Sequence, residues 1–275
     1  MNASTPPPLE GRALTVRYDG RTVLDGLDLH LPAGAVTILV GRNGCGKSTL
    51  LKSFARLLRP HGGHVLLHGA DLHRKHTTQI ARELAILPQG PAAPDDLSVE
   101  QLVRLGRYSH QGWLQTWSRE DQHVVERVLA ETGLQGLRAR AVETLSGGQR
   151  QRAWIAMALA QDTPVLLLDE PTTYLDLAHQ VDVLDLLAQL NARHGTTIAM
   201  VLHDLNLACR YAHHLVALRD GRVFAQGAPS AIVNEAMVQS VFGLDCHVMA
   251  DPVHHTPLCI PRSRHTPDAA WARQA

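Results

Sequence analysis

The sequence predicts an α/β fold: a mainly parallel sheet covered by helices, with an antiparallel β subdomain and a helical subdomain attached. Three features lead there. First, the apolar runs Val36–Val40 (VTILV), ELAILPQ ending at Gln89, Val165–Leu168 within PVLLLDE, and TTIAMVLHD (196–204) alternate with helical stretches. Strands apolar on both faces belong to a parallel sheet buried on both sides. Second, residues 13–31 carry strand-like patterning around an Asp19-Gly20 turn, which predicts antiparallel strands. Third, residues 90–143 lose the strand signal. Their apolar positions, Val99, Leu102 and Val103, then Val124, Val125, Val128 and Leu129, recur at helical spacing.

The remaining elements follow in order. Residues 1–11 are polar and proline-rich and are expected to be a flexible N-terminus. The main domain is expected over 12–248, with the helical subdomain at about 90–160. A helix begins near Lys47, after a glycine loop. Another follows Asp176, where Leu177, Val181, Leu184, Leu187 and Leu190 share one face and Gly195 supplies a stop. Asp220-Gly221 is a two-residue hairpin turn. Residues 249–275, rich in His, Pro and Arg, are expected to be a partly disordered C-terminal extension.

Composition narrows the function. Lys plus Arg and Asp plus Glu balance at 26 each, with no long basic run, which gives nucleic acid no electrostatic footing. No apolar stretch approaches the roughly 18 residues of a membrane span. The N-terminus lacks the charged and apolar regions of a secretory signal. Cys45, Cys209, Cys246 and Cys259 have no paired spacing and read as reduced cytoplasmic thiols. His61, His64, His68, His73 and His76 match no ligand spacing and read as a solvated loop.

The chemistry gathers at the carboxyl ends of the apolar runs, where open parallel sheets bind ligands. Val36–Val40 ends in GRNGCGKST (Gly41, Arg42, Asn43, Gly44, Cys45, Gly46, Lys47, Ser48 and Thr49), a full phosphate-loop pattern between strand and helix. Its glycines let backbone N–H groups wrap phosphate, Lys47 neutralises the outer phosphates, and Ser48 offers a hydroxyl to magnesium. Asp169 and Glu170 end the PVLLLDE run. Buried carboxylates are costly without a task or partner. Asp169 is expected to hold magnesium, through water, and Glu170 to polarise the attacking water. Gln89 is expected to contact magnesium and the water, and His203 the γ-phosphate. Tyr18 is either an adenine-stacking ring or an ordinary sheet aromatic. Asp176 has an ordinary reading as a helix N-cap. Cys45, near a helix N-terminus and two residues from Lys47, is expected to favour the thiolate and to be reactive, against the alternative of an inert buried sulfur.

A second anion site lies in LSGGQ, at Ser146, Gly147, Gly148 and Gln149. Ser146 can cap the helix that starts at Gly147, and that terminus carries about half a positive charge. One chain folds around one phosphate loop, so a second phosphate-sized site is most useful against a nucleotide held by another subunit. Two chains head to tail then make two equivalent composite sites.

The ordered set of residues 41–49, Gln89, LSGGQ, VLLLDE, Leu175-Asp176 and His203 resembles the ATP-binding-cassette ATPases over about residues 12–248. Finer stretches, GRYSHQGWLQTWS (106–118), PTTYLDLAHQVDVLDLL and HDLNLACRYAHHLVALRDGRVFAQGAP, resemble the ATPase subunits of iron-siderophore importers, a group related to vitamin B12 and haem importers. Thr173-Tyr174 departs from the commoner Ser-Ala before Leu-Asp and suits that subgroup. The resemblance implies a P-loop ATPase core that binds ATP and Mg²⁺ and works as a homodimer. Its partners would be transmembrane permease subunits and, indirectly, a substrate-binding protein. It would sit peripherally on the cytoplasmic face of the cell membrane. Tyr108, Trp113 and Trp117 are expected either at the permease contact or in the subdomain core. A soluble cassette ATPase would carry tandem cassettes or coiled-coil insertions. A small-molecule phosphoryl-transfer enzyme would leave LSGGQ unexplained.

Overall fold

The computed structural model describes residues 6–91, 96–111 and 117–262. Strands β1 (Leu9–Tyr18) and β2 (Arg21–Leu31) form a hairpin, and β3 (Val36–Val40) runs into α1 (Lys47–Phe54). Next come β4 (Gly62–Leu67), β5 (Ala70–Asp71), α2 (Thr77–Glu83) and β6 (Leu84–Leu87). The helical subdomain holds α3 (Val99–Leu105), α4 (Arg119–Glu131) and the start of α5 (Gly147–Leu159). Then follow β7 (Val165–Leu168), α6 (Leu177–His194), β8 (Thr197–Val201), α7 (Leu205–Tyr211), β9 (His214–Arg219) and β10 (Arg222–Gly227). The chain continues with α8 (Pro229–Ile232), α9 (Glu235–Phe242), β11 (Cys246–Ala250) and β12 (Pro257–Pro261).

The central sheet has the order β10-β9-β3-β8-β7-β6, parallel except for β10. Strands β3, β7 and β8 are buried along their whole length. Alternation decides which core each residue enters. Leu166, Leu168, Ile198 and Met200 face one apolar cluster with α3 to α6. Val165, Leu167, Ala199 and Val201 face the other, with α1 and the β subdomain. Continuous apolar runs are therefore required, since neither face meets water. At the hairpin between β9 and β10, Asp220 and Gly221 take φ of 50° and 75°, the paired positive values of the twist-matched turn. Among the described residues, no helix is long and apolar enough to cross a membrane.

The second sheet has the order β2-β1-β4-β5 and is antiparallel. Its start corrects the expected flexible segment, because residues 9–11 belong to β1. Leu9 is fully buried, paired with Leu31 on one side and Leu67 on the other. At the far end, β11 and β12 pair antiparallel, so residues 257–261, expected in the extension, are a strand. Asn206 of α7 docks that strand by bonding both the N–H (2.8 Å) and the C=O (3.1 Å) of Cys259. The histidine-rich segment is likewise not a loop: His64 lies in β4, 3.5 Å from Asp71, and His73 sits in a short 3₁₀ turn.

In the helical subdomain a buried ion pair joins three segments. Arg107 Nε donates to Asp121 Oδ1 at 2.8 Å and its Nη1 donates to the Ala160 carbonyl at 2.9 Å. Asp121 also closes the Ser118 capping box of α4. Burial opposes the Asp121 charge, but the Ser118 hydroxyl and the Arg107 guanidinium hold its carboxyl below the ordinary aspartate value.

Breaking this pair leaves one buried charge alone. Arg107→Ala is expected to destabilise the fold by about 3–5 kcal/mol, read as a lower denaturant midpoint. Because the folded pKa of Asp121 is depressed, its contribution is full above the unfolded value of 3.8 and is lost as pH falls through the folded one. The gap between wild type and variant should therefore narrow in acid.

Candidate active site

The phosphate loop turns sharply at glycines. Gly41 has φ of 147°, and a Cβ there would overlap the Leu218 carbonyl oxygen. Gly46, at φ of 105°, starts α1 and would press a Cβ to 2.7 Å from Leu24. Neither a side-chain cap nor an acidic residue occupies the first turn of α1. Its N–H groups are thus free for an anion. Lys47 is buried, and its Nζ donates to the carbonyls of Gly41 (2.8 Å) and Arg42 (3.0 Å). The ammonium is held inside the loop by the loop's own backbone.

Strand β7 is central and delivers Asp169 beside this loop. Ser48 Oγ donates to Asp169 Oδ1 at 2.8 Å. The other oxygen, Oδ2, is buried with no partner. Burial pushes the Asp169 carboxyl above its ordinary value, the Ser48 hydroxyl pulls it back, and the Glu170 charge pushes it up again. A buried carboxylate with one unpaired oxygen beside a serine hydroxyl suits a hard divalent cation, which takes oxygen ligands.

Glu170 follows Asp169 and lies in the left-handed region, at φ of 55°. Gln89 Nε2 donates to Glu170 Oε2 at 2.6 Å, and Thr173 Oγ1 donates to the same oxygen at 3.0 Å. His203 Nε2 lies 2.7 Å from Oε1. Three strand ends, those of β6, β7 and β8, thus converge on one carboxylate. Tyr18, Asn43, Gly44, Gly46, Lys47, Ser48, Thr49, Gln89, Glu170 and His203 line one cleft of about 470 Å³, within the usual range for small-molecule pockets. Tyr18 is half-exposed at its rim. Thr173 had not been assigned a contact from sequence. A hydroxyl three residues after a strand-end carboxylate, within one turn, is the signal that could have found it.

Ser146 to Gln149 do not line that cleft. Ser146 caps α5: its Oγ accepts from the Gln149 N–H (3.3 Å), and its own N–H donates to Gln149 Oε1 (3.2 Å). Gly148 packs on α6, where a Cβ would overlap the His179 ring. Asp176 is the N-cap of α6, accepting from the His179 N–H at 2.9 Å. The ordinary reading of Asp176 therefore describes its contacts within one chain.

One expectation changes, and one divides between its two alternatives. Cys45 is buried, and burial raises its thiol pKa, against the smaller pull of Lys47. The reactive-thiolate reading gives way to the inert one. Among the aromatics of 106–118, Tyr108 is 79% exposed. Trp117 packs against the core under the Arg104 guanidinium and donates to Gln122. Trp113 lies outside the described residues.

All four cysteines are buried free thiols. Maleimide is expected to label the native chain at least tenfold more slowly than the denatured chain at neutral pH, since a buried protonated sulfur is a poor nucleophile. Intact mass checks this. Fast native labelling of Cys45 that ATP suppresses would restore the thiolate reading.

The ABC transporter family model matches residues 24–173, more than half the chain. The chain is 61% identical over 259 residues to the achromobactin transport ATP-binding protein of Dickeya dadantii (strain 3937), covering 94% of this chain and 96% of that one. It is 48% identical over 262 residues to the ferric enterobactin transport ATP-binding protein of Escherichia coli (strain K12), covering 95% and 97%. A solved dimeric structure of a bacterial ABC transporter cassette superimposes with a TM-score of 0.70 at 26% identity, over 80% of this chain and 98% of that one. With a phosphate loop, a paired carboxylate and a capped LSGGQ helix in the places just described, the chain belongs to the ABC transporter family as one of its ATPases.

Proposed function

We propose that this chain is the ATP-hydrolysing subunit of a ferric-siderophore importer. The observation that carries the chemistry is the Glu170 carboxylate, held by Gln89, Thr173 and His203 at the mouth of the phosphate-loop cleft. The reaction is ATP plus water to ADP plus phosphate. Catalysis of this kind is mostly positioning and electrostatics. The loop N–H groups and Lys47 bind the β- and γ-phosphates, Lys47 exchanging its backbone acceptors for phosphate oxygens. Ser48 and Asp169 would hold Mg²⁺, which when bound neutralises phosphate oxygens. Glu170 accepts a proton from the attacking water. Gln89 orients that water, and His203 donates to the γ-phosphate. Tyr18 supplies a stacking face for adenine.

The separation of Ser146 to Gln149 from the cleft supports the head-to-tail homodimer, in which that helix start closes on ATP held by the partner. The dimeric cassette of similar fold agrees with this reading. The cargo is read from the relatives, named for achromobactin and ferric enterobactin transport. The alternative cargo, haem or cobalamin, has weaker support: the cobalamin import protein of Halobacterium salinarum is 37% identical. The permease would be a separate chain, engaged through the surface around exposed Tyr108, with a substrate-binding protein beyond it. The ATPase would then lie peripherally on the cytoplasmic face of the cell membrane.

Glu170→Gln is expected to bind ATP with near-normal affinity and lose about 10²–10⁴-fold in turnover. Turnover within twofold of wild type would move the base elsewhere. In cells, deleting the gene is expected to abolish uptake of ferric siderophores and to spare cobalamin and haem, as measured with labelled cargo. A cross-linker placed at Gln111 is expected to capture a membrane-embedded permease. Loss of cobalamin or haem uptake alone would replace the cargo assignment.

A further inference from the structure

Three donors meet the carboxylate of Glu170, and two of them are needed elsewhere once ATP is bound. Gln89 reaches it from beyond the end of β6, and His203 from beyond the end of β8. Under the function proposed above, on which this inference rests, both turn toward the ligand. Thr173 is different. It belongs to the same turn as Glu170: its N–H donates to the Glu170 carbonyl at 3.3 Å while its hydroxyl donates to Oε2 at 3.0 Å. That contact depends on no other element, so it survives movements that separate β6 and β8 groups from the carboxylate.

The turn also needs a restraint. Glu170 occupies the left-handed region at φ of 55°, and Tyr174, the residue after the turn, does so at 64°. Pro171 and Thr172 are buried, whereas Tyr174 is 96% exposed, so the turn is packed on one side only. A backbone in this region persists only where surrounding contacts hold it. The hydroxyl of Thr173 also points its proton at a charged oxygen rather than at a backbone carbonyl, the arrangement that a turn-stabilising threonine would adopt. Hydrogen bonds to charged groups are among the stronger ones.

We propose that Thr173 is the positioning residue for Glu170. Its hydroxyl holds Oε2 while Gln89 and His203 leave for the ligand, and this presents Oε1 to the attacking water. The water oxygen bonds to the γ-phosphorus, its proton passes to Oε1, and the bond to the β–γ bridging oxygen breaks to release ADP. Thr173 lines the same phosphate-loop cleft, and in this step it acts through Glu170.

The test uses the full chain and steady-state ATPase kinetics. Thr173→Val keeps the shape of the side chain and the backbone N–H bond, and removes only the hydroxyl. Its kcat is expected to fall about tenfold, as loss of a charge-assisted hydrogen bond implies, with KM for ATP within twofold and an unchanged melting temperature. Thr173→Ser restores the donor and is expected to recover kcat to within about threefold of wild type. In a Glu170→Gln background, adding Thr173→Val should slow single-turnover hydrolysis no further, because the group it positions is gone. A Thr173→Val kcat within twofold of wild type overturns the inference. So does failed rescue by serine, or an equal tenfold loss in the Glu170→Gln background. If Glu170→Gln itself retains turnover, the base assignment falls and this inference with it. If Glu170→Gln is inactive while Thr173→Val is normal, only the positioning role falls.

Discussion

The geometry of the site rests on parallel pairing between strands that have no solvated face. Register fixes β3 to β8, β8 to β7 and β7 to β6, so their carboxyl ends stop at one edge of the sheet. Slipping any strand by one residue would exchange its two apolar faces between cores of different shape. The cores thereby hold Asp169, which is itself buried, and Glu170, Gln89 and His203, which reach the cleft, in place at that edge. A polar group at the end of such a strand inherits the strand's precision and still meets the cleft.

Much of this was legible in the chain because burial on both faces leaves a run such as VLLL with no alternative. The hairpin turn was legible for a local reason, the two positive φ values that Asp220-Gly221 accepts. What was not legible depended on partners distant in sequence. Leu9 sits in a polar, proline-rich stretch and is buried only because Leu31 and Leu67 flank it. Strand β12 contains two prolines and exists because β11 and Asn206 receive it. Cys45 displayed its helix terminus and its lysine in the sequence, whereas the burial that outweighs them comes from the folded chain. Arg107 and Asp121 look like ordinary surface charges until the subdomain closes around them.

The site residues divide the same way. The phosphate loop, Asp169 and Glu170 were visible as short contiguous patterns, whose chemistry is set by local backbone. That Glu170 has both oxygens occupied was not visible, because Gln89 lies 81 positions away. The question of two phosphate-sized sites finds its physical setting in the folded chain. The Ser146 hydroxyl caps α5, while Gly148 lies against His179 of α6. Ser146 and Gly147 remain exposed at that helix start, where the first-turn N–H groups lie.

The two bonds from Lys47 to its own loop carbonyls set how nucleotide can arrive. A loop of glycines at positive φ would ordinarily sample many shapes, and a ligand would have to select one, lowering its apparent affinity by the fraction populated. Here an internal cation bonds two loop carbonyls and draws the backbone into the curved form. The ordering entropy is settled during folding rather than at encounter, as in other preorganised receptors. In the proposed function, capture of phosphate is then an exchange of acceptors around an ammonium already in place.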